Sequence, residues 1–189
     1  MIEIRKAYTS RMTWAQLKAG VKDSTVPLYI GDEIDITLKT GENVTLVCER
    51  IRDGRATFFT KDLLEDTHAM DSADVVGSDK SLSSMDRYLK KLFRLLPDDL
   101  QKVAGSLRLL KEQEIFGENW FGKPEGREQF VRYKNQANRV KRLSGVPFPY
   151  WLSTTNAGNF NGFCFVNGNG MSSMNYARYS YGVCFGFDI

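Results

Sequence analysis

Few residues in this chain have the type and spacing that catalysis demands. A single histidine, His68, stands among the carboxylates Asp62, Glu65, Asp66, Asp71 and Asp74. Such a group could hold a divalent cation or relay a proton. Metal sites need ligands at set intervals, and this run fits neither the EF-hand loop nor a zinc motif. The stretch from Asp62 to Gly77 therefore reads as a solvated loop. Cys48, Cys164 and Cys184 are too few for a disulfide scaffold, and their odd number leaves at least one free. Their apolar neighbours point to buried thiols, although a Cys164–Cys184 bridge stays open. Gly168-Asn-Gly170 is followed by Met-Ser-Ser, so the dinucleotide fingerprint fails at its third glycine. There is no Walker loop and no nucleophile elbow. No catalytic residue, metal or cofactor is assigned, and a binding protein is the better reading than an enzyme.

The chemistry that does stand out is that of recognition. From Trp151 to Ile189 there is no Lys, Glu, Gln or Pro, and the only charged side chains are Arg178 and Asp188. Six Asn, six Gly and three Tyr replace the charges that crowd the chain upstream. Tyrosine offers rigid contact area at low entropic cost, and Asn, Ser and Gly offer adaptable hydrogen bonding, as in antibody paratopes. The same composition also suits short strands joined by tight turns. The two readings stay side by side on composition alone.

Bulk properties narrow the partners. The length suits one domain with a sizeable core. A net charge of +3, from 26 basic and 23 acidic residues, gives no nucleic-acid footprint. The aromatic tail lacks the cations of a single-strand platform. No apolar run reaches the ~20 residues that span a bilayer. Met1-Ile-Glu-Ile-Arg-Lys6 is not followed by a signal-peptide core. The expected location is the cytoplasm, or the outside by way of a carrier or particle, with no membrane insertion.

The elements that would position the tail are legible in places. Thr13-Trp-Ala-Gln16 has the form of a capping box opening a helix to about Val21. Ile34, Ile36 and Leu38 alternate as in a half-buried strand. Thr40–Asn43 and Asp53-Gly54 read as hairpin turns, so Val44–Cys48 and Arg55–Thr60 complete a three-stranded meander. Ser81–Leu96 is the clearest helix, and Pro97-Asp-Asp-Leu100 starts another. Leu107–Leu110 reads as a strand and Glu112–Gly117 as a helical turn closed by glycine. Asn119–Gly126 is a loop. Arg127–Arg142 shows helical spacing at Phe130, Tyr133, Ala137 and Val140, with a solvated basic face. Phe163–Val166, Asn175–Tyr181 and Gly182–Phe187 are expected strands, with Asn167-Gly168 as a turn.

Several segments, in their order, resemble an uncharacterised domain family common in gut bacteria and their phages. They are Gly31-Asp-Glu33, Val44-Thr-Leu-Val47, Thr60-Lys-Asp-Leu-Leu64, Leu96-Pro-Asp-Asp-Leu100, Glu114-Ile-Phe-Gly117, Tyr150-Trp-Leu-Ser153, Phe165-Val-Asn167 and Gly182-Val183 with Phe185. The C-terminal part, residues 150–189, also resembles the C-type-lectin-like variable proteins of diversity-generating retroelements. In those, surface positions between a Trp segment and a Gly-Val-aromatic strand are randomised at template adenines. The resemblance implies that Asn-type template codons yield residues such as Asn, Tyr, Ser, Asp, Thr, Gly and Ala but not Lys, Glu, Gln or Pro, which agrees with the tail. Cys184 and Gly186 depart from the residues that many relatives carry.

The resemblance implies a single α+β domain over 1–189, C-type-lectin-like, with a small twisted antiparallel sheet and flanking helices. It implies contact residues at Thr155, Asn156, Asn159, Asn161, Asn169, Ser172, Ser173, Asn175, Tyr176, Tyr179, Ser180 and Tyr181. Trp151, Phe163, Phe165, Val166, Ala177, Val183, Phe185 and Phe187 would form the frame, joined by Met171 and Met174, which such codons do not encode. The implied partner is a protein ligand or host-surface receptor, met from a phage tail or a bacterial surface. The calcium-ligating Glu-Pro-Asn type of motif is missing, so sugar binding is not implied. Two alternatives stand beside this: an enzyme of the formylglycine-generating type, which would need Cys164 and Cys184 as a metal pair, and a structural particle subunit.

Overall fold

The computed structural model describes residues 2–5, 10–71, 83–158 and 161–189. It is a mixed α+β fold with few, short helices and mostly antiparallel sheets. Two strands, β1 (Ile2–Arg5) and β2 (Ser10–Met12), lead into α1 (Trp14–Lys22). The expected capping box is present: Thr13 Oγ1 accepts from Gln16 N–H, and Gln16 Oε1 accepts from Thr13 N–H at 2.8 Å. Such a cap contributes about 1 kcal/mol. The meander follows as β3 (Glu33–Thr37), β4 (Asn43–Arg52) and β5 (Arg55–Thr60). Asp53 and Gly54 both take positive φ in the turn between β4 and β5, as a two-residue hairpin requires.

Next come β6 (Thr67–Ala69), α2 (Ser84–Phe93), α3 (Asp98–Gln101), β7 (Arg108–Leu109) and α4 (Glu112–Phe116). Gly117 closes α4 in the left-handed region at φ 80°, which glycine adopts freely. Of the expected helix from Ser81, the first two residues lie outside the described ones. His68 sits in β6, so part of the expected loop is a strand, half-buried and stacked on Tyr88 at 4.4 Å. Asp74 and Gly77 are outside the described residues.

The expected helix over Arg127–Arg142 is replaced by two 3-10 turns, Val131–Lys134 and Gln136–Arg139. Asn135 between them is extended, and its side chain accepts from Ala137 N–H at 3.0 Å. A local Asn bond of this kind competes with helix propagation. Nor is the basic face solvated throughout. Lys141 is 2% exposed, its ammonium bonded to the carbonyls of Thr60 and Lys61. Arg132 reaches the buried Glu49 at 2.7 Å.

The chain then forms a two-stranded ribbon, β8 (Arg142–Leu143) and β9 (Val146–Pro147), followed by β10 (Tyr150–Thr155) and β11 (Gly162–Val166). Last come β12 (Ser172–Tyr176), β13 (Ser180–Gly182) and β14 (Phe185–Asp188). Two expected strands are thus divided. Ala177–Tyr179 turn the chain between β12 and β13, with Tyr179 N–H bonded to Tyr176 C=O at 3.2 Å. Val183 and Cys184 carry it from one sheet to the other.

The larger sheet has the order β2-β1-β3-β4-β5-β14-β7, and the smaller the order β12-β11-β10-β13-β6. Every pairing in them is antiparallel except β10 with β13. β14 lies between β5 and β7, so the chain's last strand is locked inside the larger sheet. Gly186 is required there: a Cβ would stand 2.4 Å from the Phe58 carbonyl oxygen and from the Phe59 ring. Trp14, Phe58 and Phe187 pack ring to ring at 5.8–6.2 Å beneath α1. A second core cluster gathers Phe59, Phe116, Phe130, Tyr133, Tyr150 and Cys184.

Candidate ligand-binding surface

β11 and β12 decide which tail residues can meet a partner. Every residue of β11 is buried, because both faces of the strand are covered. Phe163 and Phe165 point to the same side as Trp151, and Cys164 and Val166 join the second cluster. β12 is its outer neighbour, in the register Phe163↔Asn175, Cys164↔Met174 and Phe165↔Ser173. Having one sheet neighbour among the described residues, β12 exposes Met174 and Tyr176 and leaves Ser173 and Asn175 half-buried.

The expected frame residues Trp151, Phe163, Phe165, Val166, Ala177, Val183, Phe185 and Phe187 are all buried. Trp151 fixes them: its indole N–H donates to His68 C=O at 2.9 Å, and its ring meets Phe163, Phe165 and Tyr181. Met174 belongs instead to the surface, at 37% exposure. Met171 is half-buried, its sulfur beside the Gln136 amide.

The expected contact residues divide. Asn169, Tyr176, Tyr179 and Ser180 are exposed; Thr155, Asn161, Ser173, Asn175 and Tyr181 are half-buried. Asn159 lies outside the described residues. Asn156 and Ser172 are corrections, because both are buried and serve the frame. Asn156 donates to Phe121 C=O at 3.2 Å and accepts from Gly158 N–H, holding the turn after β10. Ser172 donates to the Glu112 carboxylate. Tyr181 has one wall on Trp151 and Phe165, 4.7 and 4.6 Å between centroids, while its hydroxyl accepts from Asn175 Nδ2 at 2.7 Å. Tyr176 and Tyr179 flank Arg178, whose guanidinium lies 5.5 and 5.7 Å from their ring centres. Tyrosine with arginine is the composition of interface hot spots.

Three features escaped the sequence reading. The first is Glu112, fully buried, with five donors around it and no ion-pair partner among the described residues. Asn119 Nδ2, Gly122 N–H and Cys164 Sγ reach Oε2; Phe121 N–H and Ser172 Oγ reach Oε1. One carboxylate thus ties the 119–122 loop to β11 and β12. The second is that loop itself. Gly122 bridges Asn156, Asn156 N–H bonds Gly162 C=O, and Gly162 pairs with Tyr176. Trp120 and Phe121, 47% and 38% exposed, stand in the loop that this bridge ties to the end of β10. Trp120 stacks on Phe116 at 5.4 Å. An uncharged aromatic pair in a loop was the available signal. Third, Gly122 has no room for a side chain: a Cβ would lie 2.1 Å from Thr154 Cγ2.

The cysteines are all free and buried. Burial pushes the Cys48 thiol up to about 12, and burial with the neighbouring Glu112 raises Cys164 strongly. Cys164 faces Glu112, whereas Cys184 faces the Thr60 carbonyl at 3.5 Å. They are engaged with different partners. No group of three or more His, Cys, Asp or Glu side chains suited to a metal occurs among the described residues. Nor is any described helix long and apolar enough to cross a membrane.

In class, then, this is an α+β chain whose last strands combine a buried aromatic frame with exposed Tyr176, Tyr179 and Ser180. No protein-family model, no curated protein and no solved structure matches it.

Proposed function

We propose that the chain is a ligand- or receptor-binding protein whose partner is chosen by the side chains of its C-terminal surface. That surface comprises Tyr176, Tyr179 and Ser180 with the half-buried residues beside them, while Asn169 stands exposed at the other end of the β11–β12 hairpin. The observation that carries the reading is the division of labour within residues 150–189. Among the described residues, the large apolar ones other than Met171 and Met174 are interior, while Asn169, Tyr176, Tyr179 and Ser180 are exposed and Thr155, Asn161, Ser173, Asn175 and Tyr181 are half-buried. The fold is read as C-type-lectin-like, with diversification by a retroelement and display on a phage tail or bacterial surface. Exposed aromatic rings and amides suit a protein epitope. The function is binding, not catalysis.

The DNA beside the gene tests diversification. The expectation is a near-copy of codons 150–189, differing at adenines, accompanied by a reverse transcriptase gene. Variant codons should fall at Tyr176, Tyr179 and Ser180 and spare Asn156 and Ser172. A flanking region with no such repeat removes diversification and leaves binding to be tested separately.

A further inference from the structure

On the larger sheet, away from the strands that carry the tyrosines, arginines gather in excess of their neighbouring acids. Arg50 pairs with Thr57 and Arg52 pairs with Arg55 across the β4–β5 hairpin, so these four residues share one face. Asp188 of β14, opposite Thr57, continues that face. Arg127 joins them from the loop after Gly126, and together they line a concavity of about 480 Å³.

Like charges placed directly opposite across strands destabilise a sheet. Arg52 is compensated by Glu128 at 2.7 Å and Asp53 at 3.4 Å. Arg55 and Arg127 have no carboxylate within ion-pair distance among the described residues. Arg50 rests on the Phe130 ring at 5.4 Å. The acid on the floor is already engaged, since Asp188 accepts from Thr57 Oγ1 at 2.6 Å. With Glu128 counted, four guanidiniums and three carboxylates leave one positive charge at the hollow. Arg55, opposite Arg52, and Arg127 keep no acid of their own among the described residues, and the hollow they line is open to an outside anion.

We propose that this hollow is a binding site for a small phosphate monoester. Guanidinium forks match the oxygens of a phosphate, and those of Arg55 and Arg127 are held by no carboxylate among the described residues. The hollow is larger than a phosphate group, which leaves room for the esterified portion. The site is independent of the tyrosine surface and of its proposed function.

The test titrates the full chain with inorganic phosphate and with a simple alkyl phosphate monoester in ~150 mM NaCl, reading calorimetry and amide shifts over 50–57. The expected result is saturable binding, tighter for the monoester. Arg55→Gln with Arg127→Gln should weaken it at least about tenfold while the protein stays folded. The double variant Lys90→Gln, Lys91→Gln, on the solvated face of α2, should change affinity less than about twofold. Absence of saturation up to ~10 mM monoester, a millimolar limit at which binding is already weak, overturns the proposal. So does equal binding by the arginine variant, or equal loss in the lysine variant, which would show screening only. Tighter binding of inorganic phosphate would overturn the monoester assignment.

Discussion

Replacing Glu112 by Gln should destabilise the protein more than any surface substitution in the tail. The amide keeps the shape but turns one acceptor into a donor. At the Oε2 position it would face Asn119 Nδ2, Gly122 N–H and Cys164 Sγ. Flipped to the Oε1 position it would face Phe121 N–H and Ser172 Oγ. The Ser172 hydroxyl can rotate to accept, so the second arrangement is preferred, and it still strands the Phe121 N–H. A buried unsatisfied donor costs about 1–3 kcal/mol, and the remaining bonds lose their charge assistance, so the total is about 3 kcal/mol. In a chain of this size that lowers Tm by roughly 6–12 °C. Ser172→Ala removes one donor of five and should cost about 1.5 kcal/mol. Urea unfolding followed by tryptophan fluorescence reads both values. A Glu112→Gln protein within ~0.5 kcal/mol of wild type, the range of ordinary surface changes, would refute the view of this carboxylate as the tie between loop and strands.

Two further outcomes rest on the other buried polar groups. Arg132→Ala should cost about 3 kcal/mol in urea unfolding, because it leaves the buried Glu49 carboxyl without its ion-pair partner; a loss below ~1 kcal/mol would place that pair with ordinary surface bridges. The Cys48 thiol, raised from 9.0 to about 12, favours the neutral form in the folded state. Its contribution is full below pH 9, where both states are protonated, and is lost as pH rises from 9 to 12 because the unfolded chain ionises first. Stability measured at pH 8, 9.5 and 10.5 should therefore fall less steeply in Cys48→Ala than in wild type, and parallel profiles would contradict the assignment.

What the sequence makes legible is what local chemistry decides. The Thr13–Gln16 box, the Asp53-Gly54 turn and the Gly117 cap each need only a few neighbouring residues, and each is in place. The alternation of Ile34, Ile36 and Leu38 likewise carries its own burial pattern. Contacts between distant parts of the chain are not written locally. Glu112 meets Cys164 and Ser172 across 52 and 60 positions, and nothing near it announces a buried carboxylate. The same distance hides Ser172 among the apparent contact residues: its type matches the exposed serines, and only β11 and Glu112 turn it inward. Helical spacing misleads at Arg127–Arg142, because Phe130 and Tyr133 three apart serve a 3-10 turn equally well. The division at Ala177–Tyr179 follows from the buried Ala177, anchored by its N–H to Asn161 C=O and by its C=O to Asp71 N–H. Neither partner is near it in sequence.

The central claim is that side chains of the tail surface are interchangeable on a fixed frame. Randomising Asn169, Tyr176, Tyr179 and Ser180 together among Asn, Tyr, Ser, Asp, Thr, Gly and Ala, then measuring unfolding free energies of individual clones, tests it most directly. Exposed positions cost about 0.5 kcal/mol or less each, so most clones should stay folded within ~2 kcal/mol of wild type. A library whose clones are mostly unfolded would contradict the account, since those side chains would then be holding the frame together.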